Sequence, residues 1–435
     1  MILTGKKVNV LGVGRSGLAA AKLALHHGAD VSIYDTANED AFARVPMGVK
    51  GVANATLETG KATECDLLVI SPGIDTYGEY VKAFSEKAGE VIGETELGYR
   101  YYAGKVIGIT GTNGKTTTTE LVQKIMSGAG ISCVACGNYG VPLSEVVMRD
   151  QMPASIALEL SSFQLETIVN LKPDVAIWLN FDADHMDRYT SLEDYKNAKL
   201  RIFEKQMPDD YAIIREGEDV GELTAKKLTF TTENDNADFT FSDDKIFFQG
   251  EEVLELEQTK LRGLHNAENA MSAIAACLML GISKDQIKEA LKGFAPPLHR
   301  CELIRTLDGV EYLNDSKATN LHALDSALRS QTRPVVLLAG GKQKGLNYSE
   351  IIPRLRKHAH HAIVFGEIAD ELKEVFSQAV PTECVEVLTE AVKQAQKLAK
   401  RGDAVLLSPG TSSFDQFKGY EHRGDVFREA VNLLK

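Results

Sequence analysis

At roughly 150 residues per domain, a chain of 435 residues is expected to hold two or three domains rather than one core. Its 48 Lys and Arg against 61 Asp and Glu leave a formal charge of −13, which argues against a sequence-independent grip on nucleic acid or an anionic membrane. Hydrophobic residues at 44% and charged residues at 25% are the proportions of an ordinary globular protein, which excludes disorder and fibres.

The apolar stretch 270–282 is shorter than the roughly 18 residues that span a bilayer, so no membrane span is expected. Asn9, Arg15 and Lys22 interrupt any apolar export signal, so the cytoplasm is the expected location. Six scattered cysteines agree with a reducing compartment. Cys133 and Cys136 form a CxxC in an apolar run, where strand alternation points them to opposite faces and away from shared zinc or redox chemistry. His358, His360 and His361 lie in a Lys/Arg-rich segment and read as a solvated helix face rather than a metal tract.

In chain order, strand 7–11, a glycine turn, helix 18–27 and strand 30–34 make a βαβ opening. A later strand, 66–70, ends in Ser71-Pro72-Gly73, where the chain turns outward. From Glu94 a second unit begins: strand 105–109, a glycine loop, a helix from Thr116, and strands 155–160 and 174–179, whose unbroken apolar runs suit buried parallel strands. Residues 211–256 read as a small antiparallel excursion before a helix near His265. Pro296-Pro297 mark a second boundary. A third unit then alternates strands 334–339, 362–365 and 404–407 with helical patterns such as 390–399. Residues 403–410 echo residues 66–73, which suggests that the outer units share a strand-end device. The expected domains are therefore 1–93, 94–298 and 299–435, all α/β.

Three constellations carry chemistry. The sequence TGTNGKTT from Thr110 lies between a strand and a helix, the setting of a phosphate loop. Backbone N–H groups would cradle phosphates, Lys115 would meet the β/γ oxygens and the Thr116 hydroxyl would reach Mg²⁺. The common GxxxxGK[ST] spacing is not met, because Ile109 holds the first glycine position. Gly12-x-Gly14-x-x-Gly17 followed by Asp35 fits the dinucleotide fingerprint, whose physics serves NAD and a nucleotide-sugar diphosphate equally, or only tight strand–helix packing. Glu159 ends one strand, and Asp184, His185 and Asp187 follow the next; carboxylate and imidazole there could hold Mg²⁺ beside a γ-phosphate. Asn266, Asn269, His299-Arg300, the run 314–320 and the glycine-lysine loop 340–345 could individually be caps, turns and solvated charges. On spacing alone the chain reads as a multidomain ATP-using enzyme with a second anionic substrate.

Together, TGTNGKTTT at 110–118, LELSSFQLE at 158–166, DHMDR at 184–188, HNAENA at 265–270, HR at 299–300, NDSKATN at 314–320 and SPGTSSFDQF at 408–417 resemble the Mur ligase family over essentially the whole chain. Within it, they are most similar to the branch that joins D-glutamate to UDP-N-acetylmuramoyl-L-alanine. The resemblance implies a Rossmann-like N-terminal domain for the UDP-sugar, a central P-loop ATPase whose mainly parallel sheet carries a small antiparallel one, and a Rossmann-like C-terminal domain for the amino acid. A monomer working with ATP and Mg²⁺ in peptidoglycan precursor synthesis is expected.

Carried over residue by residue, the resemblance implies that Gly14, Arg15, Ser16, Asp35, Thr36, Ser71 and Gly73 hold the UDP-sugar, with Asn138 and His185 at its carboxyl end. ATP would meet Gly111, Thr112, Asn113, Gly114, Lys115, Thr116, Thr117, Asn269, Arg300 and Asp315; Mg²⁺ would meet Thr116, Glu159, His185 and Lys199. Lys199 matches the family lysine that carries a carbamate, with a solvent-facing lysine on an amphipathic helix as the alternative. An unperturbed lysine offers about one neutral amine in a few thousand at pH 7, so CO₂ addition needs a special site. Thr319, Lys344, Ser413, Phe414 and Tyr420 match the D-glutamate positions, and the extra Lys342 leaves open which lysine faces the substrate. His185 and Asp315 are the candidate bases by reach. The rival classes are an NAD-dependent oxidoreductase, supported only by the first 35 residues, a non-catalytic P-loop switch, and a folylpolyglutamate-type ligase, which shares the loop but gives no reason for the tail SSFDQFKGYEHRG.

Overall fold

The computed structural model describes residues 1–182, 188–295, 298–331 and 333–435. The Pro296-Pro297 boundary and the candidates Asp184, His185 and Asp187 therefore lie outside the described residues. Two compact units result, Met1–Thr231 with Asp235–Phe239 and Ala270–Ala290, and Thr232–Asn234 with Thr240–Asn269 and Leu291–Lys435.

The first unit holds two parallel arrays. Strands β1 (Lys7–Leu11), β2 (Asp30–Tyr34), β3 (Lys50–Val52), β4 (Cys65–Ile70) and β5 (Ala88–Gly93) form a parallel sheet of order β3-β2-β1-β4-β5. Strand order reverses between β1 and β4, the point where doubly wound sheets bind ligands, and the glycine turn and Ser71 follow these two strands. The second array contains β6 (Lys105–Thr110), β7 (Cys133–Gly137), β8 (Ser155–Glu159), β9 (Val175–Trp178), β10 (Tyr211–Arg215) and β11 (Lys226–Thr231), in the order β7-β8-β6-β9-β10-β11. Strands β8 and β9 are buried at every position, as sheets covered on both faces require. The antiparallel excursion is narrower than the sequence predicts. Both β10 and β11 run parallel, since short apolar strands do not encode direction.

After β12 (Phe239–Ser242), strands β13 (Lys245–Phe248) and β14 (Glu251–Glu255) form an antiparallel pair in the second unit. That unit's larger sheet comprises β15 (Glu302–Leu307), β16 (Val310–Asn314), β17 (Val335–Gly340), β18 (Ala359–Phe365), β19 (Thr382–Cys384) and β20 (Ala404–Leu407), ordered β15-β16-β20-β17-β18-β19. Only the edge strand β15 is antiparallel to its neighbour. Apolar clusters cover both faces, one around Leu337 and Leu406 and the other around Leu338 and Leu407. The chains leaving β16, β17 and β20 therefore start side by side.

The expected helix face at His358–His361 is corrected. The helix ends at His358, and His360 and His361 lie half-buried on β18, their Nδ1 atoms 2.9 Å apart, with His360 Nε2 2.9 Å from Asp403. Among the described residues, no helix is long and apolar enough to cross a membrane.

Candidate active site

In the first unit, the loop after β6 ends at Gly114, whose φ of 85° is left-handed and suits a residue without a Cβ. The helix Lys115–Gly128 starts there with no acidic residue in its first turn, so its N-terminal N–H groups favour an anion. Asn180, just beyond β9, braces the loop: its carbonyl accepts from the Thr112 N–H (2.9 Å) and its side chain from the Asn113 N–H (2.8 Å). Sequence reasoning missed this residue, whose one local signal is an asparagine at a strand end.

Two lysines converge on the loop. Lys115 Nζ donates to the carbonyls of Gly111 (2.8 Å) and Thr112 (2.9 Å), and Lys199 Nζ donates to the same Gly111 carbonyl (2.9 Å). Lys199, on the helix Leu192–Leu200, is 1% exposed and lies 4.9 Å from the Tyr195 ring, so the solvent-facing alternative is overturned.

Because β8 pairs with β6 in the register Ile109↔Glu159, Glu159 is delivered to the base of the loop. It is 2% exposed; Oε1 accepts from Asn138 Nδ2 at 2.7 Å, while Oε2 is buried with no hydrogen-bond partner among the described residues. A buried carboxylate oxygen of this kind is costly unless a cation meets it, and the hard oxygen donors Glu159 and Thr116 suit Mg²⁺. No cluster of three His, Cys, Asp or Glu occurs among the described residues, and the remaining proposed ligand, His185, lies outside them.

At the first sheet, Asp35 braces the backbone. Its two oxygens accept the Val13 and Ala37 N–H groups, each at 2.9 Å, closing the glycine turn. Ser71 Oγ reaches the Gly12 carbonyl at 3.5 Å. Gly14 and Gly73 are exposed and a Cβ on either would meet nothing within 4 Å, which leaves backbone open to a ligand; Ser16 is half-buried and Thr36 exposed nearby in the chain. Arg15 is engaged by protein, donating to the Gly140 carbonyl at 2.7 Å and pairing with Glu145 at 3.4 Å.

The second unit holds the remaining candidates on strand ends and helices. Asp315 follows β16; its carboxylate accepts from the Cys301 N–H (3.1 Å) and the Ser408 hydroxyl (2.9 Å), and burial pushes its pKa up to about 7. Asn269 is buried on the helix Leu264–Met279, 3.5 Å from Asn266, and Arg300 is half-buried beside the buried His299. Lys344 Nζ reaches the Thr319 carbonyl at 3.2 Å, whereas Lys342 contributes backbone, its N–H to Ser412 (2.8 Å) and its carbonyl to the Thr411 hydroxyl (2.6 Å). Ser413 is buried, Phe414 is 66% exposed, and the Tyr420 ring lies 3.9 Å from Lys317 Nζ. Burial pushes the Tyr420 phenol up to about 12. Lys317 and Arg423 received no role from the sequence. The fully buried Arg423 guanidinium ties three strand-end loops together, donating to Ser316, Gly340 and Thr411, and burial lowers its pKa to about 10.

Comparison with known proteins follows this anatomy. A Mur ligase MurD-like N-terminal domain matches residues 6–93, a Mur ligase middle domain residues 109–277, and a Mur ligase glutamate ligase domain residues 299–410. The chain belongs to the Mur ligase family. Mur ligase relatives similar over the whole length include the UDP-N-acetylmuramoylalanine--D-glutamate ligases of Geobacter metallireducens (37% identical) and Koribacter versatilis (38%), each match covering 100% of this chain and 99% of the relative. Among solved structures, MurF ligase from Thermotoga maritima in complex with ADP aligns with a TM-score of 0.61 at 15% identity, over 99% of this chain and 96% of that one. UDP-N-acetylmuramate-alanine ligase from the same organism aligns with a TM-score of 0.58 at 18% identity, over 98% and 99%. The three-domain α/β fold is thus that of the Mur ligases.

Proposed function

We propose that this Mur ligase joins D-glutamate to UDP-N-acetylmuramoyl-L-alanine in the cytoplasm, using ATP and releasing ADP and phosphate. The observation that carries the proposal is the full-length likeness to ligases of that name. Residues 1–93 would hold the UDP-sugar, 94–298 the ATP phosphates, and 299–435 the amino acid.

A carboxylate and an ammonium do not condense in water, so the alanyl carboxylate must first be activated. Its oxygen attacks the γ-phosphorus, the bond to the bridging oxygen breaks, and ADP leaves with that electron pair. Lys115 and the helix N-terminus balance the charge that develops. Thr116, Glu159, His185 and Lys199, the last through the anionic oxygens of its carbamate, would hold Mg²⁺, which would supply further charge neutralisation at the phosphates. The neutral amine of D-glutamate then attacks the acyl carbonyl, and collapse of the tetrahedral intermediate expels phosphate. His185 or Asp315 would take the amine's proton; a carboxyl poised near pH 7 suits Asp315 to that task. Asn269 and Arg300 would contact ATP. Coupled ADP release with UDP-N-acetylmuramoyl-L-alanine and a panel of amino acids tests the proposal; release that ignores the amino acid offered, or needs no UDP-sugar, rejects it.

Lys344, at the Thr319 carbonyl, would pair with a D-glutamate carboxylate, while Thr319, Ser413, Phe414 and Tyr420 complete the pocket. Lys344→Ala should raise the KM for D-glutamate by about tenfold or more and that for ATP by no more than about twofold. An equal rise in both would show that Lys344 lies elsewhere.

The buried Lys199 amine, bonded to the Gly111 carbonyl of the loop, would carry a carbamate in the working enzyme. With ¹³C-bicarbonate, a carbamate carbon signal is expected in the parent protein and not in Lys199→Ala. Identical spectra from the two would remove the assignment.

A further inference from the structure

Arg188 stands at the edge of the candidate site and has no part in the chemistry above. Its side chain is 12% exposed, and the guanidinium is held from several directions within the first unit. Nη1 donates to the Pro72 carbonyl (3.1 Å); Nη2 donates to the Ile74 carbonyl (3.1 Å), to Thr76 Oγ1 (3.3 Å) and to Glu166 Oε2 (2.9 Å). The plane lies 4.0 Å from the Phe163 ring centroid, and Nε lies 4.0 Å from Asp75. Glu166 is itself fixed, with a side chain 1% exposed and Oε1 accepting from the Tyr189 hydroxyl at 2.5 Å.

These contacts join elements far apart in sequence. Phe163 and Glu166 belong to the segment that follows β8 and Glu159, whereas Pro72, Ile74 and Thr76 belong to the loop that follows β4 and contains Ser71 and Gly73. Gly73 lies between the two anchored carbonyls, and a Cβ added to it would meet nothing within 4 Å. The loop is therefore gripped through its neighbouring peptides while Gly73 is left open. Only a planar fork can reach two carbonyls and a carboxylate at once; a lysine ammonium could satisfy Glu166 or the loop, but not with the same directional set.

We propose that Arg188 is a positioning residue for the UDP-sugar: it fixes the strand-end loop 71–76 against the segment carrying Phe163 and Glu166, and so sets how tightly the sugar-nucleotide is held relative to the phosphate loop. The proposal rests on the assignment of Ser71 and Gly73 to that substrate. It predicts a fault in one substrate's binding rather than in phosphate transfer. In Arg188→Lys, the KM for UDP-N-acetylmuramoyl-L-alanine should rise by about tenfold or more, while kcat at saturation and the KM values for ATP and D-glutamate stay within about twofold. Glu166→Gln keeps a partner for the guanidinium but weakens its hold, and should raise the same KM by about two- to fivefold.

Hydrogen exchange supplies a readout independent of turnover. Amides of residues 73–78 should exchange about tenfold faster in Arg188→Lys than in the parent, with amides 111–118 unchanged. Arg188→Ala leaves the buried Glu166 charge without its cation and is the variant that risks misfolding, so the lysine variant carries the test. Parental KM and parental exchange in a folded Arg188→Lys would overturn the proposal, as would an equal rise in all three KM values. A parent enzyme that does not consume the UDP-sugar at all would refute the assigned function instead, and the exchange comparison would still decide whether Arg188 fixes the loop.

Discussion

Lys115→Ala should lower kcat for ATP-dependent turnover by at least about a thousandfold, some 4 kcal/mol of barrier, while leaving the protein folded. In the proposed reaction the ammonium group follows the γ-phosphate; it donates to the carbonyls of Gly111 and Thr112, groups that a phosphate oxygen can replace. Deleting it leaves the loop intact for two reasons. The Gly111 carbonyl keeps its bond from Lys199, and Asn180 still receives the Thr112 and Asn113 N–H groups. The loss of stability should therefore stay below about 3 kcal/mol, the net value of two partly exposed hydrogen bonds. ADP release and a thermal melt on the same sample check both halves. Turnover within tenfold of the parent would remove Lys115 from the phosphate site, and a collapsed melt would make its role structural.

Gly17→Ala should destabilise the first unit by more than about 3 kcal/mol, although alanine is intrinsically the better helix residue by about 1 kcal/mol. A Cβ at Gly17 would lie 1.8 Å from the Gly12 carbonyl oxygen and 2.7 Å from Ser71 Oγ. The carbonyl cannot simply withdraw, since the Gly12 N–H is bonded to Tyr34 at 2.8 Å and the turn is closed by Asp35. Steric exclusion therefore outweighs helix propensity. The paired control is Gly14→Ala, where the added Cβ meets nothing within 4 Å and the change in stability should be below about 1 kcal/mol. Urea unfolding of the two variants gives the comparison; equal stabilities would mean that the third fingerprint glycine is not a packing requirement.

Much of the site was legible because its residues lie at the ends of strands with clear apolar runs. The string TGTNGKTT between β6 and a helix, Glu159 at the end of β8, and Asp315 after β16 could all be placed from local pattern. Contacts that depend on distant partners were not legible. Nothing near Arg188 announces that it will hold carbonyls more than a hundred residues away, and nothing near Asn180 shows that its amide will close against Asn113. Lys199 illustrates the same limit: periodicity gives the helix, but only packing against the Gly111 carbonyl decides that its amine is buried. Strand direction is equally silent, which is why β10 and β11 extend the parallel array where antiparallel pairing was expected. His360 and His361 followed a helical charge pattern in sequence, yet β18 claims them through its pairing with β17.

Isotope transfer decides whether the acid becomes an acyl phosphate before the amine arrives. UDP-N-acetylmuramoyl-L-alanine labelled with ¹⁸O in both oxygens of its terminal carboxylate should deliver one ¹⁸O to the released phosphate and keep the other in the new amide. Unlabelled phosphate, its fourth oxygen drawn from solvent, would exclude the acyl phosphate.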